Sequence, residues 1–254
     1  MRTINGLEYF SSPLFKDEVV HAFLSRAGGV SQPPFESLNF DPRDTDSKEN
    51  VEENWARLKE AFGVESLATV SQVHRNAVVN LKGEPSSPVE ADAIITGNKG
   101  MAIGILTADC LPILLHDPVN GAVAAVHAGW KGTALGVALN TVHEMGKAFG
   151  TRPGDLIAAL GPSIGPCCYT VGENVYEEFQ RLGRNMDSFT RLDDGLRLDL
   201  GFQNMSQLLD SGLRPENISG GAPCTYCSKG FFSYRRDGGR TGRQLSFIML
   251  KRPK

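Results

Sequence analysis

Two imidazoles and one thiol stand at or just beyond the ends of apolar runs: His74 after Ser71-Gln72-Val73, Cys110 after Thr107-Ala108-Asp109, and His127 closing Ala122-Val123-Ala124-Ala125-Val126. Nitrogen and sulfur donors of this kind suit borderline-soft zinc. Three protein ligands leave one tetrahedral position open for water or substrate, which marks a catalytic rather than a structural centre. The separations, 36 residues from His74 to Cys110 and 17 from Cys110 to His127, match no compact zinc-finger spacing. Each residue taken singly also has an ordinary role open to it: a hydrogen-bonded His beside a core strand, or a Cys serving as a small buried hydrophobe. The residue types alone leave both readings standing.

The elements that must position these groups are legible from periodicity. Val19 to Leu24 reads as a strand entering the pair Gly28-Gly29, and Asp41 to Ser47 as a polar loop. Val51, Trp55, Leu58 and Phe62 recur at helical spacing over Lys48 to Phe62, with Gly63 where a helix would close. Strands are predicted over Leu67 to Val73, Ala77 to Leu81, Ala91 to Thr96, Met101 to Leu106, Ile113 to His116 and Ala122 to His127. A loop marked by Gly83, Pro85 and Pro88 lies between the second and third of these. Further helices are predicted from about Leu135 to Phe149, from Val171 to Leu182 and from Leu200 to Ser211. Shorter strands are expected over Leu156 to Leu160 and over Leu245 to Leu250, with a strand or turn from Ile218. The three candidate ligands thus fall at strand ends or in the loops after them, where a rigid sheet can fix their geometry while substrate still reaches them.

The 254 residues, 41% apolar and 22% charged, supply a substantial core and read as one domain over 1–254. A formal charge of -3 argues against nucleic acid as a partner. No segment has the order of a signal peptide or the ~18 apolar residues of a membrane span. Five cysteines, odd in number and not spread as a disulfide framework, favour a reducing, cytoplasmic setting.

Several long, glycine-rich runs carry a resemblance: SRAGGVSQPPFESLNF, SQVH, ADAIIT, TADCLPILLHDP, VHAGWKGTALGV, GPSIGPCCYTVGENV and CTYCSKGFFSYRRDGGRTGRQ. From about Arg26 to Leu250 the chain resembles the bacterial laccase-domain family once called multicopper polyphenol oxidases, members of which have been reassigned as purine nucleoside phosphorylases that also deaminate adenosine. The resemblance implies a single α+β domain of mixed β-sheets flanked by helices, with the metal in a deep pocket at strand ends. It places the metal ligands on the same three residues, His74, Cys110 and His127. It also implies Zn2+ as cofactor and a purine nucleoside and phosphate as partners, the nucleosides being adenosine, inosine and methylthioadenosine. The protein would be a monomer or homodimer. Multicopper centres need many His ligands, and five His in the chain cannot supply them. Copper could instead take the same N and S donors when abundant, giving a weak polyphenol oxidase side activity.

Phosphorolysis needs a held anion and charge stabilisation, tasks open to Arg26, Lys131, Arg235 and Arg236, each of which could equally be a surface or salt-bridge residue. Deamination needs a proton carrier, for which Asp109 beside Cys110 is the candidate, with turn capping its alternative role. Gln72 and Asn39 could hydrogen-bond substrate or simply satisfy loop backbone. Cys224 and Cys227 form a Cys-x-x-Cys, but no second such pair accompanies it, so redox and second-zinc roles are discounted. Cys167 and Cys168 are read as packing residues. Phe231, Phe232 and Tyr234 could stack on a purine or belong to the core. Two other functions compete: a hydrolase editing peptidoglycan precursors, with Cys110 as nucleophile and His127 or His74 as base, and a non-enzymatic metal- or partner-binding protein.

Overall fold

The longest apolar runs of the chain form its central strands, and they lack polar interruption because both of their faces are covered. The structure, a computed structural model, describes residues 1–41, 45–83, 85, 87 and 89–252. Part of the loop expected over Asp41 to Ser47, residues 42–44, lies outside the described residues, as does Pro88.

One six-stranded sheet runs in the order β1 (Arg2–Ile4), β2 (Leu7–Phe10), β3 (Val19–Leu24), β15 (Gln244–Leu250), β7 (Met101–Thr107), β4 (Ser66–Ala68). A second runs β14 (Ile218–Ser219), β10 (Ile157–Leu160), β8 (Leu111–Asp117), β9 (Ala122–Ala128), β6 (Ala93–Thr96), β5 (Val78–Asn80). Side chains alternate between the faces of a strand, so each central strand feeds two cores. Val123 and Ala125 of β9 meet Ile103 and Ile105 of β7 and Ile248 of β15 between the sheets. Ala122, Ala124 and Val126 turn the other way, onto α2 (Trp130–Ala134), α3 (Val137–Phe149), α4 (Glu173–Arg181) and α5 (Leu200–Asp210). On the far side, Leu245, Phe247 and Met249 of β15 pack against Leu58 and Ala61 of α1 (Lys48–Phe62). The architecture is therefore an α+β arrangement of mixed sheets flanked by helices, as the resemblance implied.

Local chemistry sets the helix ends. The Ser47 side chain accepts the Asn50 N–H at the start of α1, and Gly63, with φ of 62°, closes it in the left-handed conformation that glycine adopts without strain. The helix expected from about Leu135 to Phe149 is α3; a short α2 from Trp130 that was not expected precedes it, and Gly136, with φ of 76°, breaks the chain between the two. The strand expected over Leu67 to Val73 shrinks to Ser66–Ala68. Beyond it the Gln72 carboxamide takes over the pairing with β7, donating to the Leu106 carbonyl at 2.7 Å and accepting its N–H at 2.8 Å. A small sheet of β11 (Thr170–Val171), β13 (Gly195–Leu198) and β12 (Phe189–Leu192) went unforeseen, its strands being too short to show a period.

Candidate metal centre

Period-two geometry brings the ligands together. His127 shares the inter-sheet face of Val123 and Ala125, and β8 pairs with β9 so that Pro112 lies opposite His127 and Leu111 opposite Ala128. Cys110, one residue before β8, therefore comes to the same end of the sandwich and the same face as His127. The donor atoms of His74, Cys110 and His127 all lie within 4.8 Å of one another, and the two imidazoles meet edge to face, 4.8 Å between centroids.

A buried carboxylate that sequence reasoning missed organises the trio. Asp92, wholly buried ahead of β6, accepts the His74 N–H at 2.9 Å, the Arg75 N–H at 2.7 Å and the His127 Nδ1–H at 2.8 Å. Fixing the proton on Nδ1 leaves the His127 Nε2 lone pair directed away from Asp92, the orientation a metal ligand requires. The Asp92 carboxyl is held below its ordinary range: burial works against the charge, but the hydrogen bonds from His127 and the two backbone amides outweigh it. The signal available in sequence was an aspartate opening the apolar run of ADAIIT.

Backbone strain marks the same place. Four non-glycine residues have positive φ among the described residues, and His74 (57°) and Asp109 (88°) are two of them. Such conformations cost of order 1–3 kcal/mol each and persist where surrounding bonds enforce them. For His74 the enforcing bonds come from Asp92. For Asp109 they come from Thr225 Oγ1, donating to its carboxylate at 2.6 Å, and from the Arg235 N–H at 2.7 Å. Gly129 completes the cradle: a Cβ there would stand 3.0 Å from Cys110 Sγ and 3.2 Å from His74 Cδ2.

The electrostatics suit a cation. Burial opposes ionisation of Cys110, yet His127 and His74 beside it bring the thiol down to about 6. Burial likewise opposes a charged His127, but Cys110 and Asp92 push the imidazole up to about 9. A thiolate held against an imidazole whose far nitrogen is pinned to a carboxylate is a ligand set for a borderline-soft divalent ion.

The trio lies in the wall of a cavity of about 630 Å³, which is also lined by Asp41, Gln72, Asp109, Tyr169, Tyr234, Arg235 and Arg243. Of the residues singled out from sequence, Gln72, Asp109, Tyr234 and Arg235 are thus brought to the trio. Arg235 donates to the Thr170 carbonyl at 2.9 Å and stacks 5.3 Å over Tyr169. Others sit elsewhere. The Arg26 guanidinium donates to the Glu36 carbonyl and covers the Phe232 ring at 4.7 Å. Asn39 is wholly buried, bonded to Asp41, Asp46 and the Arg243 N–H. Lys131 lies 5.5 Å over Trp130 at the start of α2. Arg236 spends its guanidinium on the carbonyls of Thr225, Tyr226, Ser228 and Phe231. Phe231 and Phe232 belong to the core. Tyr169 and Arg243 are the cavity residues that pattern reading missed.

The chain is similar to known proteins over nearly its whole length. A family model described as multi-copper polyphenol oxidoreductase laccase matches residues 20–251. A purine nucleoside phosphorylase of Deinococcus radiodurans is 40% identical over 254 residues, covering 98% of this chain and 96% of that one. Purine nucleoside phosphorylase YfiH of Escherichia coli is 39% identical over 229 residues, 89% of this chain and 91% of that one. Among solved structures, YlmD from Geobacillus stearothermophilus superposes with a TM-score of 0.92 at 32% identity, covering 99% of this chain and 98% of that one.

Proposed function

The chain belongs to the multi-copper polyphenol oxidoreductase laccase family, and on that premise we propose that it is a zinc-dependent purine nucleoside phosphorylase, acting on adenosine, inosine and methylthioadenosine, with adenosine deamination as a second activity. We take residues 1–254 as one catalytic domain working in the reducing cytoplasm, a setting its five free thiols suit. The observation that carries the reading is the convergence of His74, Cys110 and His127 on a cavity that also presents two arginines and two tyrosines. Relatives named for this phosphorylase activity supply the substrate class. The multicopper part of the family name finds no support in ligand number. Of the five His, His21 packs edge-on against Phe15 at 4.6 Å and His116 lies on the same ring, while His143 is exposed on α3, so only two reach the cavity.

In phosphorolysis, phosphate attacks C1′ of the ribose as the base departs, giving the free purine and ribose 1-phosphate. His74, Cys110 and His127 would hold zinc, whose charge acts as a Lewis acid at the cavity wall. Arg235 and Arg243 provide guanidinium donors matched to phosphate oxygens. Tyr169 keeps its phenolic proton well above the usual range, chiefly through burial and then through Cys110, so it remains a donor for developing negative charge. Tyr234, about half exposed on the cavity rim, offers a face for the purine. Gln72, tied to Leu106, and Asp109, tied to Thr225 and Arg235, fix the wall on either side. In this reading Asp109 would also carry the proton in deamination.

Incubating zinc-loaded protein with adenosine, inosine or methylthioadenosine, each with and without phosphate, tests this reading by chromatography. Adenine that appears only with phosphate, and inosine without it, are expected, and both should vanish in Cys110→Ala. Untouched adenosine, inosine and methylthioadenosine would overturn it. One observation favours a second reading: Cys110, His127 and Asp92 are also arranged as a thiolate, base and orienting acid. That hydrolase would keep its activity in chelator and lose it to a thiol alkylator, the reverse of what the zinc enzyme requires.

A further inference from the structure

We propose that Cys167, Cys168, Cys224 and Cys227 form a second metal centre, a tetrathiolate zinc site that staples together the two loops walling the cavity. In sequence the Cys-x-x-Cys of 224 and 227 lacks a partner pair. In the fold it has one: the vicinal pair Cys167-Cys168, with Cys168 59 residues from Cys227 along the chain. The four sulfurs all lie within 4.8 Å of one another, with Cys168 to Cys227 at 3.3 Å and Cys167 to Cys227 at 3.7 Å. Zinc–sulfur bonds of about 2.3 Å in a tetrahedron place the sulfurs about 3.8 Å apart, close to what the side chains already show.

Backbone geometry supports thiolate ligation. Cys224 Sγ accepts N–H groups from Gly165, at 3.2 Å, and from Tyr226 and Cys227. Three donors aimed at one sulfur suit a negatively charged acceptor, and the two from within the Cys-x-x-Cys curl the loop around it. On the other loop, the Cys168 and Tyr169 N–H groups both reach the Gly165 carbonyl at 3.0 Å, a turn that keeps two adjacent cysteines facing the same point. Cys168 and Cys224 also pack against the core beneath α2 to α5, as expected of Cys168 from sequence, but Cys167 and Cys227 are exposed, and packing does not account for their sulfurs being drawn to the same point. Zinc entry would release the thiol protons to solvent and leave a dianionic centre compensated by these amides.

The consequence concerns the cavity. Ser163 pairs with Cys224, the Thr225 N–H donates to the Ser163 carbonyl at 3.0 Å, and Thr225 Oγ1 holds Asp109. Tyr169 immediately follows the vicinal pair, and Arg235 reaches back to Thr170. A clamp between the loops thereby sets the positions of Tyr169, Asp109 and Arg235 without touching substrate.

The test is metal analysis of the full chain purified under reducing conditions without chelator. Two zinc per chain are expected, falling to one in Cys227→Ser and to one in His127→Ala, with hydrogen exchange at residues 165–171 and 223–236 accelerating only in Cys227→Ser. Should Cys227→Ser fail to fold, the wild-type protein still decides. The thiols of the cluster should resist a thiol-reactive probe until zinc is released, and one equivalent of zinc should then appear as four thiols react. A single zinc lost entirely in His127→Ala, iron with visible absorption in place of the second zinc, or a Cys168–Cys227 disulfide in the reduced preparation would each overturn the proposal.

Discussion

Replacing Asp92 by Asn isolates the contribution of the carboxylate behind the proposed ligands. One Asp92 oxygen accepts both the His74 N–H (2.9 Å) and the His127 Nδ1–H (2.8 Å), and the other accepts the Arg75 N–H (2.7 Å). An amide has a single acceptor oxygen, so one set of donors must face an NH2 group. With the oxygen toward His127, the Arg75 N–H loses its acceptor and faces an NH2 group, costing up to about 1–3 kcal/mol of stability, less where water reaches the exposed Arg75. With the oxygen toward Arg75, His127 must shift its proton to Nε2, which removes it as a ligand. Both arrangements weaken the site, and loss of a carboxylate behind a ligating His typically lowers metal affinity by roughly 10–100-fold, or about 1.4–2.7 kcal/mol. Competition against a chromophoric chelator measures the affinity, and urea unfolding in chelator measures the stability of the chain by itself. A zinc affinity within about threefold of wild type would refute the reasoning. So would a stability loss with unchanged affinity, because Asp92 would then be a structural residue only.

Gly129→Ala separates crowding from folding. The backbone there (φ −72°, ψ 171°) accepts any residue, but the new methyl would press Cys110 Sγ and His74 Cδ2 at 3.0 and 3.2 Å. Zinc affinity should fall roughly tenfold or more, with stability in chelator down by no more than the ~1–3 kcal/mol of an overpacked site; unchanged affinity in a metal titration would remove Gly129 from the cradle. A third expectation concerns acid. Burial first, then Arg2 and His116, lower His21 to about 4, and its Nε2 accepts the Ser12 N–H at 2.9 Å. The unfolded chain protonates this group near 6.5. Between those values the unfolded state binds more protons, so stability is full above about 6.5 and falls as pH drops toward 4, by at most about 1.4 kcal/mol per unit before screening of the partly exposed ring. His21→Gln, which keeps an acceptor for Ser12, should flatten that slope in unfolding curves taken from pH 7 to 4.5; an identical slope would show the group to be inert.

Much of the chemistry was legible in the residues alone. The types of His74, Cys110 and His127 specify nitrogen and sulfur donors open to a metal, and the apolar runs around them specify strands, because donor chemistry and period-two alternation are local properties of a sequence. The α1 helix was legible to its ends because Ser47 and Gly63 act on their immediate neighbours. Convergence was not local. That Cys110 and His127 share a face depends on the register of β8 against β9, and Asp92 is 18 residues from His74 and 35 from His127 along the chain. Spacing rules discounted Cys224 and Cys227 because they count along one segment, whereas the other two sulfurs arrive on a separate loop. Likewise Asn39, Arg26 and Lys131 carry side chains suited to substrate, yet packing commits them to carbonyls, carboxylates and rings elsewhere. A sequence states what each side chain can bond; only the closed fold determines which partners reach it first, since the contacts that decide this join residues far apart in the chain.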